Sequence, residues 1–90
     1  MKMNISFKSS NTSYFMIVDE RAYSINDSGR VYLGIITTNF FDNIINELWN
    51  MGFILKSQIF RTSSHFGSRI IFTEKDLDKI KLLAKIYSWK

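Results

Sequence analysis

Hydrophobic side chains recur at every second position over roughly the first third of the chain, and from Phe40 the spacing changes to three and four. Ile5 and Phe7 alternate with Asn4, Ser6 and Lys8, the period of a strand with one wet face. The polar run Ser9 to Ser13 reads as a turn. Tyr14 to Val18 is aromatic and β-branched and too short for a free-standing helix, so it is predicted to pair back as a buried strand. Asp19, Glu20 and Arg21 mark an exposed bend. Beyond it Tyr23 and Ile25 alternate with Ser24 and Asn26, and the cluster Asn26, Asp27, Ser28 and Gly29 turns the chain, with Gly29 supplying a positive φ. On the return arm Val31, Leu33 and Ile35 share one face, while Arg30, Tyr32 and Gly34 share the other.

The stripe Phe40, Ile44, Leu48 and Met51, widened by Phe41 and Ile45, predicts a helix over residues 39–51. Thr38 or Asn39 suits its N-cap, Asp42 favours the positive end of its dipole, and Gly52 stands where a left-handed cap belongs. A second hairpin follows, with residues 53–61 as outgoing arm, 62–67 as turn and 68–73 as return arm, Ile70 and Phe72 facing in. Thr73, Glu74, Lys75 and Asp76 make a capping-box start, with Asp in place of the usual Glu, to a helix striped by Leu77, Ile80, Leu83, Ala84 and Tyr87.

Hairpin plus helix thus occurs twice after an initial strand pair, giving the order ββ-ββα-ββα. Neither unit can bury its helix face alone, so both are expected to share one core. The result is a single α+β domain over residues 1–90, an antiparallel sheet with two helices on one side and two projecting hairpin tips. At 46% hydrophobic residues, with eight Phe, four Tyr and two Trp, the chain carries enough apolar bulk to pack without metal or crosslinks. Trp49 and Trp89 are read as core or edge packing.

The absence of Cys excludes disulfides and thiolate metal sites, and His65 stands alone, so no metal and no cofactor are expected. No apolar run approaches the length that spans a bilayer, and the start lacks the continuous hydrophobic stretch of a signal peptide. A cytoplasmic protein with no membrane partner is the expectation. Catalysis finds little support, because one histidine, no cysteine and no paired carboxylates leave a nucleophile without a base.

Charge changes the picture more than composition does. The net charge is +4. Up to Ile45, Lys2, Lys8, Arg21 and Arg30 balance Asp19, Glu20, Asp27 and Asp42, whereas residues 51–73 hold Lys56, Arg61, His65 and Arg69 and no acid. Gln58, Thr62, Ser63, Ser64 and Phe66 are interleaved with those bases. Cations for the phosphate backbone, amides and hydroxyls for oxygens or base edges, and an aromatic ring for stacking are what a nucleic acid requires. The same pattern also suits the solvated side of an amphipathic hairpin. Lys75, Lys79, Lys81 and Lys85 on the last helix lie three or four positions from Glu74 or Asp78 and read as ordinary surface pairs.

The strings YSINDSGRVYLG (Tyr23 to Gly34), FFDNIINELWNMG (Phe40 to Gly52), FILKSQI (Phe53 to Ile59) and DLDKIKLLAKI (Asp76 to Ile86), in this order, resemble the C-terminal double-wing DNA-binding domains of MotA, the T4-type phage transcription factors. The resemblance implies a saddle-like sheet that grips duplex DNA through two wings. The first wing would present Asn26, Asp27, Ser28 and Arg30, and the second Lys56, Gln58, Arg61, Ser63, Ser64, His65 and Arg69. The winged-helix half through which MotA-type activators meet RNA polymerase has no counterpart in these residues, so an activator role is not carried over. What is expected is a non-enzymatic, phage-derived nucleic-acid binder, with duplex DNA favoured over RNA. The alternative is a small phage protein that inhibits a host defence factor, a toxin or nuclease, with RNA as a bridge.

Overall fold

The computed structural model describes residues 3–56, 60–61 and 68–86. Its elements follow in the order β1 (Ile5–Ser10), β2 (Ser13–Val18), β3 (Arg21–Ile25), β4 (Arg30–Gly34), α1 (Thr38–Asn50), β5 (Phe60–Arg61), β6 (Ser68–Ile71) and α2 (Glu74–Ile86). The strands form one antiparallel sheet in the order β1-β2-β3-β4-β6-β5. Its inner face, with Phe7, Met16, Val18, Tyr23, Val31 and Ile70, packs into one cluster with Phe41, Ile44, Ile45 and Leu48 of α1 and Ile80 and Ala84 of α2. Both helices contact β1 on this side, so the fold is α+β with its helices on one face, as the periodicity predicts.

The first two turns are tighter than their polar runs suggest. Ser9, Ser10 and Ser13 all belong to strands, leaving Asn11 and Thr12 as a two-residue turn with Asn11 at φ 57°, a conformation Asn tolerates. Asp19 and Glu20 lie at φ 46° and 78°, the mirror-image turn whose twist matches that of paired strands. Asp19 also ties down the first strand: its Oδ1 accepts from the Asn4 N–H and its own N–H donates to the Asn4 carbonyl, both at 3.0 Å.

Several local expectations need correction. Thr37, in extended backbone, is the N-cap of α1, its Oγ1 accepting from the Phe40 N–H at 3.1 Å. The helix therefore starts one residue early, and Asp42 falls beyond its first turn. Ile35 was expected to face inward with Val31 and Leu33 but is 72% exposed, because the register shifts between Tyr32 and Gly34 and β4 ends there. Trp49 stands out from α1, 52% exposed. Residues 53–56 are irregular rather than strand, and Tyr87 and Trp89 lie outside the described residues.

The first hairpin tip is stitched to the sheet rather than projecting freely. Gly29 donates its N–H to the Asn26 carbonyl and accepts from the Phe72 N–H, both at 2.9 Å. A Cβ at Gly29 would stand 2.8 Å from the Phe72 carbonyl oxygen, and φ there is +86°. Only glycine satisfies both the handedness and the close approach.

A second stitch joins the helices. Thr73 Oγ1 accepts from the Asp76 N–H at 3.1 Å and Asp76 Oδ2 accepts from the Thr73 N–H at 2.9 Å, the reciprocal capping box that the spacing predicts. Asp76 is only 2% exposed, and its carboxylate also accepts from the Ile54 and Leu55 N–H groups at 2.8 Å each. One turn on, Lys79 Nζ donates to the Met51 carbonyl and lies 5.0 Å from the centre of the Phe53 ring. It thus supplies the cation that the last turn of α1 lacks. Phe53 completes an aromatic triad, 5.1 Å from Phe7 and 5.5 Å from Phe72 between ring centres. The exit of α1 is held by α2 from above and by the sheet from below.

Candidate nucleic-acid interface

Strand alternation sorts the side chains between a covered and an open sheet face. Inward positions are core, and the positions between them carry the exposed Ala22 and Ser24 on β3 and Arg30 and Tyr32 on β4, the half-buried Lys8 on β1, Phe15 on β2 and Arg69 and Ile71 on β6, and Ile17 on β2, which is buried. Register lines several of these up across the sheet. Lys8 stands opposite Phe15 and Phe15 opposite Ser24. Continuing the Ile25–Val31 register by one residue sets Ser24 beside Tyr32, and Tyr32 is opposite Arg69, which is opposite Phe60. With strands about 4.8 Å apart, the row spans about 24 Å.

The strands of this face carry bases and no acid. All eight acids of the chain, Asp19, Glu20, Asp27, Asp42, Glu47, Glu74, Asp76 and Asp78, lie in turns or helices. None is in a strand. Lys8, Arg30 and Arg69 therefore share the open face with Phe15 and Tyr32, the latter 57% exposed. A helix cannot achieve this separation so simply, because α2 interleaves Lys75, Lys79, Lys81 and Lys85 with Glu74, Asp76 and Asp78.

The residues that the sequence singles out fall into two groups. Arg30 belongs to the open face and is exposed; Arg69 shares its side of the sheet but is half-buried, with its Nε buried. Ser28 and Lys56 meet instead in a cleft at the start of α2, lined also by Asp27, Thr73, Glu74 and Lys75, where acids accompany the bases. Lys56 is anchored there by its backbone, its N–H donating to the Ile71 carbonyl at 2.8 Å. Asn26 is committed to the turn, since its Oδ1 accepts from the Ser28 N–H, the Ser28 hydroxyl and the Arg30 N–H at 3.1, 2.9 and 2.8 Å. Arg61 pairs in register with Ser68. Gln58, Ser63, Ser64 and His65 lie outside the described residues.

Sequence reasoning passed over Lys8, Phe15 and Tyr32. The signal was present in the alternation, which already sets Lys8 apart from Ile5 and Phe7, and Tyr32 apart from Val31 and Leu33. Comparison of the chain with protein-family models, curated proteins and solved structures finds no match in any of the three. Among the described residues no helix is long and apolar enough to cross a membrane.

Proposed function

We propose that this protein is a nucleic-acid-binding module that works without catalysis, holding the polyanion against the open sheet face. The observation that carries this reading is the sorting of charge: Lys8, Arg30 and Arg69 on a face whose strands contain no acid. Clustered positive charge attracts a polyanion, and neutralised phosphates release their counterions. The resemblance to MotA-type double wings supports the same class of partner, and on that resemblance the setting is a phage-infected bacterial cytoplasm. Arg30, exposed on this face, pairs with the phosphate backbone, while Lys56 and Ser28 lie apart from it in the cleft beside α2.

The test is the salt dependence of binding to labelled oligonucleotides. Each neutralised phosphate adds about −0.9 to the slope of log affinity against log salt on duplex DNA or about −0.7 on a single strand. Arg30→Ala is expected to flatten that slope by about one phosphate's worth, roughly 0.7 to 0.9. Failure to bind DNA or RNA of any form at low salt would contradict the proposal and leave a protein partner, a host defence toxin or nuclease, as the reading to pursue.

A further inference from the structure

The open face has relief as well as charge. On β3 its outward residues are Ala22 and Ser24, both small and exposed. The flanking strands carry bulk: the half-buried Phe15 on β2, and Arg30 and Tyr32, both exposed, on β4. A shallow trough therefore runs along β3, walled by an aromatic ring on either side, with walls two strand spacings or about 10 Å apart. At the β4 wall the Tyr32 ring stands well out of the sheet, flanked in register by Arg69.

The dimensions separate the two forms a nucleic acid can take. The major groove of a duplex, about 12 Å wide, admits a helix or a two-stranded ribbon. A six-stranded face about 24 Å across cannot enter it. Against a duplex this surface would meet phosphates alone, and the exposed Tyr32 ring would have no base to contact. A single strand offers what the duplex hides: every base has a π-face that an aromatic ring can stack on, while cations track the backbone beside it.

Resting on the nucleic-acid reading above, we infer that the trough along β3 takes a single polynucleotide strand in preference to a duplex, with a base stacked on Tyr32 and a phosphate paired with the exposed Arg30. The Ser24 hydroxyl lies on the trough floor, where it can donate to or accept from a base edge. Neither stacking nor phosphate pairing reads the sugar, so DNA and RNA strands bind alike.

Anisotropy titrations of the full chain against a labelled single DNA strand of about 12 nucleotides, the same sequence as RNA, and the same sequence as a duplex test this. Both single strands are expected to bind at least about tenfold tighter than the duplex at equal salt. Tyr32→Ala should weaken single-strand binding by about 5- to 150-fold, the range for one lost base stack, while Tyr32→Phe keeps affinity within about twofold. Because Tyr32 is exposed, thermal melts of both variants should match the parent. Equal or tighter binding of the duplex, or a Tyr32→Ala variant with unchanged single-strand affinity, overturns the inference. If the duplex is preferred and salt dependence is retained, only the choice of strand fails. If no probe binds at low salt, the nucleic-acid reading falls and takes this inference with it.

Discussion

Replacing Asp76 by Asn changes one oxygen to an amide and removes a charge from a side chain that accepts three backbone N–H groups. Asn has a single acceptor. Placed where Oδ2 sits, it keeps the bonds from Leu55 and Thr73 but turns its own N–H₂ toward the Ile54 N–H, so that donor faces donor. A hydrogen bond to a charged group contributes about 1.5 to 3 kcal/mol, and the two that survive lose their charge assistance. The Ile54 and Thr73 groups are only partly buried, so water recovers part of the loss, and we expect a net destabilisation of about 3 kcal/mol. For a chain of this length that lowers the melting temperature by about 15 °C. Circular dichroism melts, with urea titrations to confirm an unchanged m-value, measure it. A drop of less than about 5 °C would refute the claim that this carboxylate locks the exit of α1 to α2.

Two further substitutions probe the turns. Gly29→Ala combines a left-handed backbone with a Cβ 2.8 Å from the Phe72 carbonyl, so chemical denaturation should show a loss of about 3 kcal/mol; a neutral result would mean that the first hairpin tip is not fixed to β6. Glu20→Gly acts in the opposite direction, because Glu20 is exposed at φ 78°. Relief of that conformation, less the greater freedom of glycine in the unfolded chain, should raise stability by about 0.5 to 1 kcal/mol, read as a melting temperature about 4 °C higher.

The fold class was legible because the two periods, alternation up to β4 and three-to-four spacing in the helices, belong to the backbone itself. The capping box was legible for the same reason, since Thr73 and Asp76 are local partners. Asp76's other acceptor roles were not, because Ile54 and Leu55 come to it only after α1 and α2 have packed. Gly29 could be read as a turn glycine, yet its contact with Phe72 depends on β6 arriving beside β4. The candidate site divides in the same way. The acid-free run around Arg61 and Arg69 is visible in one dimension, whereas the alignment of Lys8, Phe15, Ser24, Tyr32 and Arg69 is a product of register across strands remote in sequence. Linear charge reading grouped Lys56 with Arg69 as neighbours; the sheet instead leaves Lys56 in the cleft near Glu74.

Backbone amide NMR of the labelled chain during titration with a short single-stranded oligonucleotide tests most directly whether the open face is the binding surface. Shifts are expected to concentrate at Lys8, Phe15, Ser24, Arg30, Tyr32 and Arg69, with the outer surface of α1 around Asn46 and Asn50 undisturbed. Shifts centred on the helices, with the strand residues unmoved, would contradict it.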